Sequence, residues 1–304
     1  MGNGVEFLVT GGAGFIGSNI VAQLVADGRS VRVFDNLLTG RACNLAALQS
    51  RIDFVEGDLR DTDAVRAAVS GVRYVLHLAA LPSVPRSVAD PVMTNKINID
   101  GTVNLLTAAR DARVERLVFS SSSSVYGDTE VLPKQEDMLP QPLSPYALQK
   151  LCGEHYCRVF HRLYGFKTFC LRYFNVFGPN QNPASQYAAV IPLFVSALAE
   201  GRAPTVFGDG EQTRDFTFVD DVVSANLLCC RAPDEAAGGV YNVAGGVRTS
   251  LNELLGVLRA IMGSDQQADY ADPRPGDVKH SQGDGSRARA AFGWEARVPL
   301  EEGL

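Results

Sequence analysis

A cluster of glycines between a short apolar run and a helical pattern constrains the fold of this 304-residue chain more than any other feature. The run Val5–Thr10 is predicted to be a strand, and the apolar residues after the cluster recur at the spacing of a helix. Gly11 and Gly14 would let backbone N–H groups approach a pyrophosphate, and Gly17 would let the helix pack closely on the strand. The pattern therefore predicts a dinucleotide-binding turn, with the anion at the first turn of the helix.

The next predicted strand, Ser30–Phe34, ends at Asp35. A carboxylate at this position can accept hydrogen bonds from both ribose hydroxyls of an adenosine, and it would repel a 2′-phosphate. Asp35 therefore favours NAD over NADP. Strand, glycine turn, helix and acid occur in the order that such a unit requires, so a chance glycine turn is the less favoured explanation.

The charge and the cysteines exclude several other classes of protein. A net charge of −6 argues against non-specific nucleic-acid binding, although a few local arginines suffice for an anionic small substrate. The six cysteines are scattered without C-x-x-C spacing, which indicates buried thiols in a reducing cytosol rather than disulfides or zinc ligands, so no metal is predicted. No signal peptide precedes the first strand and no apolar run is long enough to span a bilayer, so a cytoplasmic protein without a membrane partner is expected.

Strands and helices alternate over the first 174 residues, and this βαβ rhythm predicts an α/β fold with a doubly wound parallel sheet of the Rossmann type. The predicted strands are 52–55, 74–78, 116–119 and 167–171, and the predicted helices are 62–69, 97–112 and 144–164. Residues 175–186 show no strand pattern, 187–200 is predicted to be a helix, and 240–243 a returning strand. We expect an NAD-binding domain of residues 1–174 with a return segment at about 216–246, and a smaller, irregular substrate domain of residues 175–215 and 247–304.

The candidate catalytic residues are Ser122, Tyr146 and Lys150. Tyr146 and Lys150 are four residues apart in a predicted helix and therefore share a face. A free tyrosine has a pKa of about 10, and a nearby ammonium together with a positively charged nicotinamide would lower it toward the value that a base needs. Ser122 follows the fifth predicted strand, at the edge where such sheets hold ligands, and could bond the hydroxyl that reacts. Alone, such a Tyr–Lys pair is most often an exposed helix pair; with the glycine turn, Asp35 and the serine run, catalysis is favoured.

Several motifs resemble those of the extended short-chain dehydrogenases/reductases, and within these the NAD-dependent epimerase/dehydratase family, most of all the bacterial UDP-N-acetylglucosamine and UDP-glucose 4-epimerases. They are Thr10–Gly17, Ser120–Gly127, Tyr146–Lys150, Arg172–Asn175, Gly208–Gly210, Thr213–Phe216 and Arg274–Asp277, and they span nearly the whole chain. The resemblance implies NAD-dependent 4-epimerisation of a UDP-hexose. Tyr146 would remove the proton of the 4-hydroxyl while hydride passes from carbon 4 to NAD⁺; the 4-keto sugar would turn over, and hydride would return to its other face.

The resemblance also implies roles for individual residues. Cofactor contacts are implied for Gly11, Gly14, Phe15, Ile16, Gly17, Asp35, Asn36, Asp58, Leu59, Leu78, Ala79, Ala80, Asn98, Tyr146, Lys150 and Tyr173. Substrate contacts are implied for Arg86, Ser122, Ser123, Tyr146, Asn175, Gln181, Ala189, Val190, Thr205, Phe207, Arg214, Arg274 and Ser281. Of these, Asn175, Arg214 and Arg274 would hold the UDP phosphates. The helices at 97–112 and 144–164 resemble the pair that forms a four-helix dimer interface in the family, which implies a homodimer.

Departures from related sequences narrow the chemistry. Related 4,6-dehydratases carry Asp-Glu after the serine or threonine, where this chain has Ser123 and Ser124, so no acid is available there to eliminate water and dehydration is disfavoured. Relatives restricted to plain hexoses have a tyrosine at the place of Ser281, and the smaller serine leaves room for an N-acetyl group. Pro82 replaces an expected glycine and could narrow the pocket near the sugar.

Two alternatives stay open at the level of the sequence. UDP-glucuronate 4-epimerases share much of the pattern and are the closest rival, with decarboxylation to a pentose as a further possibility. A hypothesis from another class is a non-catalytic NAD-binding sensor. Such relatives lose the tyrosine or the lysine, whereas this chain keeps Tyr146, Lys150 and Ser122.

Overall fold

A computed structural model describes residues 4–183, 189–273 and 278–304, and its central sheet has seven parallel strands. The strands are β1 Phe7–Thr10, β2 Val31–Asp35, β3 Asp53–Glu56, β4 Tyr74–His77, β5 Arg116–Ser122, β6 Lys167–Tyr173, β7 Val176–Phe177, β8 Thr205–Phe207, β9 Thr213–Arg214, β10 Thr217–Phe218, β11 Val240–Val243, β12 Thr249–Ser250 and β13 Asp269–Ala271. The helices are α1 Phe15–Ala26, α2 Thr62–Val69, α3 Val84–Ala89, α4 Pro91–Asn95, α5 Gly101–Asp111, α6 Pro145–Tyr164, α7 Val190–Ala199, α8 Val219–Cys229, α9 Leu251–Met262, α10 Ser286–Phe292 and α11 Leu300–Gly303. Three 3₁₀ helices (Ala42–Arg51, Ser123–Tyr126, Asp234–Ala236) and a π-helical turn (Lys96–Asp100) complete the regular structure.

The strand order in the large sheet is β11-β6-β5-β4-β1-β2-β3, and every neighbouring pair is parallel. The chain thus winds outward from β1 to β3 and then returns to build the other half from β4. The order reverses between β1 and β4, and a crevice at the carboxyl ends of these two strands is where such sheets bind ligands. The predicted doubly wound sheet, including the returning strand at 240–243, is confirmed.

Helices cover both faces of the sheet, which explains why its strands are apolar without alternation. On one face, Ile20 of α1 and Val222 of α8 pack in a single buried cluster with Trp294. On the other, Leu105 of α5 and Cys157 of α6 pack with residues of α2. Four of the six cysteines are buried, and Cys43 is exposed. None of the described helices combines the length and the apolarity needed to span a bilayer.

A smaller C-terminal region packs around its own apolar cluster. Phe194 of α7, Val206 of β8 and Leu254 of α9 are buried together there. Three two-stranded sheets join the segments of this region; they pair β7 with β10, β9 with β12 and β8 with β13. The smaller second domain expected from the sequence is therefore present, while the residue boundaries between the two domains stay a prediction.

The structure corrects several element predictions. β5 and β6 extend to Ser122 and Tyr173, beyond the apolar runs that defined them, because polar residues at their ends find buried partners. The prediction of no strand within 175–186 was wrong at Val176–Phe177, since a two-residue strand is too short to show periodicity. The helix predicted at 97–112 begins in the π-helical turn, and the helix predicted at 187–200 is seen as Val190–Ala199, with residues 184–188 outside the described part.

Candidate active site

A cavity of about 400 Å³ opens at the carboxyl ends of β1, β2, β4 and β5, around the point where the strand order reverses. The structure brings most of the predicted cofactor residues to its wall. They are Gly11, Gly14, Phe15, Ile16, Gly17, Asp35, Asn36, Asp58, Leu59, Leu78, Ala79, Ala80, Tyr146, Lys150 and Tyr173. Arg86, Gln181 and Ala189, predicted for the substrate, lie on the same wall.

The glycine turn leaves backbone donors facing this cavity. Gly11 has φ +69°, and a Cβ there would lie 2.7 Å from the backbone nitrogen of Ala79. Gly14 precedes α1 without a side-chain cap, and the first turn of the helix carries no acidic residue. The N–H groups of that turn therefore need an external acceptor, and a phosphate satisfies both the hydrogen-bonding and the dipole requirement.

Asp35 ends β2 as a buried carboxylate whose two oxygens hold the surrounding backbone. One oxygen accepts the N–H of Ala13 at 2.9 Å, and the other accepts the N–H of Leu37 at 2.8 Å. Burial raises the pKa of Asp35, and these two donors act in the opposite direction. Each carboxylate oxygen keeps further acceptor capacity toward the cavity, as a pair of ribose hydroxyls requires.

Asp58 and Asn36 form the far wall of the same cavity. The Asn36 amide donates to Asp58 at 2.8 Å, and the Arg60 guanidinium forms an ion pair with Asp58 at 2.8 Å. The pKa of Asp58 is lowered, chiefly by the hydrogen bond from Arg60. A fixed carboxylate thus stays ionised beside the expected position of the adenine.

The start of α6 places Tyr146, the candidate catalytic tyrosine. Ser144 caps the helix by accepting the N–H of Ala147 at 3.2 Å, and Pro145 occupies the first turn. The N–H of Tyr146 donates to the hydroxyl of Ser87 at 3.0 Å, which ties α6 to α3. Tyr146 is partly exposed, and its exposed part faces the cavity.

Ser122, Tyr146 and Lys150 come together at the end of β5, as predicted. The ammonium of Lys150 is buried, donates to the carbonyl of Ser120 at 2.7 Å and lies 5.9 Å from the centre of the Tyr146 ring. Burial raises the pKa of Tyr146 to about 12, and the neighbouring Ser122 hydroxyl acts in the opposite direction. In the protein without cofactor burial therefore outweighs the hydrogen bond from Ser122, and the lowering of the phenol pKa expected from Lys150 together with a positively charged nicotinamide stays a prediction.

A buried ion pair lies one helical turn beyond Lys150. The guanidinium of Arg172 on β6 donates to both oxygens of Glu154 at 2.9 and 2.8 Å, and both side chains are 3% exposed. Glu154 also accepts the hydroxyl of Ser121, and the guanidinium stacks on Tyr126 at 4.6 Å. Through these contacts Glu154 holds α6 against β5 and β6, behind the candidate catalytic residues. Sequence reasoning gave it no role; a carboxylate four residues after Lys150 on a buried helix face was the available signal.

A second cavity of about 220 Å³ adjoins the first, and Gln181 and Ala189 lie on the walls of both. It brings together Asn175, Val190, Thr205, Phe207 and Arg214, all predicted for the substrate. Asp215, next to Arg214, is fully buried and accepts backbone N–H groups of Gly246 and Gly283 at 3.0 and 2.9 Å. Burial raises its pKa to about 7. This carboxylate anchors the segment that carries Arg214.

Five predicted contacts are not on the described walls. Ser122 ends β5 and accepts the N–H of Ser124 at 3.2 Å, and it lines neither cavity. Asn98 is buried behind the first cavity, where its amide bonds the backbone of Leu81. Ser123 lies in the 3₁₀ helix after β5 and lines neither cavity. Ser281 is buried, with its N–H donating to the carbonyl of Thr213 at 3.1 Å, and it also lies off both walls. Arg274 lies outside the described residues.

The walls also include residues that sequence reasoning missed. In the first cavity they include Leu38, Thr39, Gly40, Arg41, Asn44 and Leu81; in the second they include Phe177, Ile191, Phe194, Gln212, Phe216 and Leu251. Pro82, which the sequence placed near the sugar pocket, lies on the wall of the first cavity. The first group follows β2 or β4, and the rule that loops after parallel strands face the ligand would have found it. The second group comes from β7, α7, α9 and the segment around β9, which only the fold brings together.

Similar proteins share this arrangement. Residues 7–244 match the NAD dependent epimerase/dehydratase family. The chain belongs to that family. It is 42% identical to a UDP-glucose 4-epimerase of Mycolicibacterium smegmatis, over 98% of this chain and 95% of the relative. It is 32% identical to a UDP-glucuronate 4-epimerase of Thermodesulfobacterium geofontis, over 98% and 92%.

Among solved structures, the fold is similar to that of a UDP-N-acetylglucosamine 4-epimerase from Methanobrevibacter ruminantium M1 in complex with UDP-N-acetylmuramic acid. The TM-score is 0.94 at 41% identity, covering 100% of this chain and 96% of the other. NAD is the cofactor of the family, and the uncapped first turn of α1, the glycine turn and the Asp35 carboxylate fit a dinucleotide.

The burial of Lys150 predicts a pH-dependent stability. Burial lowers its pKa to about 8, whereas an unfolded lysine titrates near 10.4, at roughly its free value. Between these values the unfolded chain binds more protons than the folded one, so wild-type stability rises with pH in that window. Lys150→Met should therefore be more stable relative to wild type at pH 7 than near pH 10, by on the order of 1–3 kcal/mol.

Urea unfolding at the two pH values measures this difference. Lys96→Met, which replaces an exposed lysine, is the control and should show no such change. A stability difference between Lys150→Met and wild type that is the same at both pH values would contradict the proposed cost of the buried ammonium.

Proposed function

We propose that this protein is an NAD-dependent UDP-sugar 4-epimerase whose preferred substrates are UDP-N-acetylglucosamine and UDP-N-acetylgalactosamine. One observation carries the proposal: Tyr146 and Lys150 lie on the wall of a dinucleotide cavity that adjoins a second cavity lined by Arg214. The first accommodates a cofactor and the second a nucleotide. In this proposal the sugar that joins them lies with its ring beside the phenol.

Tyr146 acts as the general base in this proposal. Its oxygen takes the proton of the sugar 4-hydroxyl, and Ser122 holds the same hydroxyl by a hydrogen bond. When bound, NAD supplies the hydride acceptor and donor, together with a positive charge near the phenol. That charge adds to Lys150 and counteracts the burial that raises the pKa of Tyr146 to about 12. After the 4-keto sugar has turned over, Tyr146 returns the proton to the new 4-hydroxyl.

Arg214 and Asn175 hold the diphosphate in this proposal. Both line the second cavity, and Arg214 donates to the carbonyl of Thr213 at 3.0 Å, which orients the guanidinium. A planar guanidinium suits two phosphate oxygens at once. Because binding is concentrated on the nucleotide, the hexose keeps the freedom to rotate that an epimerase needs.

Ser281 supports the choice of an N-acetylated sugar. It is buried off both cavity walls, with its N–H donating to Thr213, the residue before Arg214, so the choice rests on the resemblance, in which relatives restricted to plain hexoses have a tyrosine here. The Methanobrevibacter relative is a UDP-N-acetylglucosamine 4-epimerase. UDP-glucose and UDP-galactose are proposed as additional substrates. UDP-glucuronate is the alternative substrate, favoured by the Thermodesulfobacterium relative.

A non-catalytic NAD-binding sensor is the alternative from another class. It would need the dinucleotide cavity but neither the phenol nor the second cavity. The combination of a cavity-facing Tyr146, a buried Lys150 and a lined nucleotide cavity argues for catalysis.

The proposal includes a homodimer formed through α6. Leu148, Tyr156, Val159 and Leu163 are exposed and are spaced by eight, three and four residues, so they lie on one face of the helix and form an apolar stripe. An exposed stripe of this kind is typical of a helix that packs against a partner. A second copy of the chain would cover it with the same stripe, by two-fold symmetry.

The first test is conversion without added cofactor. Purified protein should carry bound NAD and convert UDP-N-acetylglucosamine to its 4-epimer, as followed by NMR of the sugar. Tyr146→Phe removes only the ionisable oxygen and should lower kcat by about 10²–10⁴-fold while keeping NAD bound. Tyr164→Phe, at an exposed tyrosine of the same helix, should keep wild-type activity. Bound NAD without turnover in the wild type would favour the sensor.

The second test concerns the sugar. Ser281→Tyr should lose conversion of N-acetylated UDP-sugars and keep conversion of UDP-glucose, because a bulky side chain excludes the larger group by clash. Ser281→Ala should keep both activities. UDP-glucose turnover reports that the tyrosine variant is folded. An equal loss of activity on both substrates, or no loss on either, would contradict the role of Ser281. Either result would favour UDP-glucuronate as the substrate.

The third test concerns assembly. Val159→Glu places a charge in the centre of the apolar stripe and should convert the dimer to a monomer, measured by light scattering after size exclusion. Val247→Glu changes an equally apolar, exposed residue elsewhere and should leave the dimer intact. A monomeric wild type would remove the dimer from the proposal.

A further inference from the structure

A continuous chain of buried hydrogen bonds lies behind the wall of the first cavity. It runs through Thr10, His77, Thr102, Asn98, Gln149 and Thr94, each at most 3% exposed. The distances are 2.8 Å from Thr10 to His77 Nδ1, 3.0 Å from His77 Nε2 to Thr102, 2.8 Å from Asn98 to Gln149 and 3.0 Å from Gln149 to Thr94. Thr102 joins Asn98 through the Asn98 carbonyl at 2.7 Å.

The direction of every bond near His77 is determined by its neighbours. The Thr102 hydroxyl donates to the Asn98 carbonyl, which can only accept, so it must itself accept a hydrogen from Nε2 of His77. Nδ1 of the neutral ring then accepts the hydroxyl hydrogen of Thr10. The Thr10 oxygen is left to accept the N–H of Ala79, at 3.3 Å. Only the Nε2–H tautomer gives each hydrogen an acceptor.

The ring stays neutral in this environment. Burial lowers the pKa of His77 to about 3, and the positive charge of Lys150 acts in the same direction. A protonated ring would donate from both nitrogens, and the Thr10 hydrogen would lose its acceptor. The chain is therefore fully satisfied only in one protonation state, which is the condition under which a buried polar network fixes a single arrangement.

The chain of hydrogen bonds joins the part of the protein that lines the cofactor cavity to the helix that carries the proposed base. Thr10 and Ala79 flank the glycine turn, and Asn98 binds Leu81 twice, accepting its N–H at 2.7 Å and donating to its carbonyl at 3.3 Å. Gln149 lies on α6 immediately before Lys150. Asn98 itself lies in the π-helical turn, an irregularity that often occurs at functional sites.

We infer that His77 is a positioning residue, which in its Nε2–H tautomer holds the cavity wall Ala79–Leu81 at a fixed distance from the helix that bears Tyr146 and Lys150. It lines neither of the two cavities. Its effect on the reaction passes through Thr102, Asn98 and Gln149, so breaking the chain at any of these misplaces the base relative to the cofactor. The expected change in kcat rests on the proposed function. The expected loss of NAD retention rests only on the dinucleotide cavity.

The matched pair Thr102→Val and Thr102→Ser tests this inference, because valine keeps the shape of threonine and serine keeps the hydroxyl. With UDP-N-acetylglucosamine, Thr102→Val should lower kcat about tenfold or more, with KM changed less than threefold, since a small misplacement of reacting groups is costly and the nucleotide cavity is remote from the chain. It should also retain less NAD through gel filtration. Thr102→Ser should restore both quantities.

Thr168→Val is the control for the loss of a buried hydroxyl, because Thr168 is fully buried and donates to the carbonyl of Cys157 at 2.8 Å, away from the cavity. It should lose comparable stability and keep wild-type kcat and NAD content. If Thr102→Val does not fold, Gln149→Met breaks the same chain from the side of α6. A lowered melting temperature with unchanged kcat and NAD retention, in either variant, would overturn the inference.

The ring itself supplies a readout independent of turnover. Long-range ¹H–¹⁵N correlation spectra of histidine-labelled protein distinguish the two neutral tautomers and the protonated ring. His77 should be the Nε2–H tautomer in the wild type, and an Nδ1–H or protonated ring would overturn the inference. If the wild type proves inactive on every UDP-sugar, the proposed function fails, while NAD retention and the tautomer still decide the role of His77.

Discussion

The close approach of α1 to the glycine turn is the contact on which the rest of the structure depends. A Cβ on Gly17 would collide with the carbonyl of Gly11, and one on Gly11 would collide with the backbone of Ala79. Three backbone segments thus meet without side chains between them. Because α1 can start this close to β1, its uncapped N–H groups reach the cavity instead of being covered, and β4 can run beside β1. Cofactor binding and sheet order are therefore consequences of the same steric requirement.

Behind this contact, the site is held by buried polar groups rather than by apolar packing alone. The Glu154–Arg172 pair ties α6 to β6, and the Asp215 carboxylate ties the segment of Arg214 to two distant turns. Removing one partner of such a pair leaves a buried charge without compensation, which costs far more than the intact pair contributes. Such contacts stabilise one arrangement and penalise its alternatives, as a site that must align two ligands requires.

The sequence predicted the large sheet because its signals are local. The glycine turn, Asp35 at the end of a strand and the Tyr146–Lys150 pair are each recognised within a few residues of sequence. All of them lie on the wall of the first cavity, at the carboxyl ends of the parallel strands. The chain of buried hydrogen bonds could not be predicted, since Thr10, His77 and Gln149 are ordinary residues in their own segments and acquire a role only when the fold brings them together. The burial that raises the pKa of Tyr146 in the protein without cofactor could not be predicted for a related reason: helix spacing reveals the ammonium but not the depth of burial.

The position of β11 has a consequence for synthesis of the protein on the ribosome. β11 pairs with β6, yet the two strands are separated in the chain by the helices and short strands that build the second cavity. Until Val240–Val243 has emerged, the outer edge of β6 exposes unpaired backbone groups, which are sites of mispairing between nascent chains. The first part of the nucleotide-sugar half is thus made while the cofactor half is incomplete, and β12, α9 and β13, which complete it, are made only after β11.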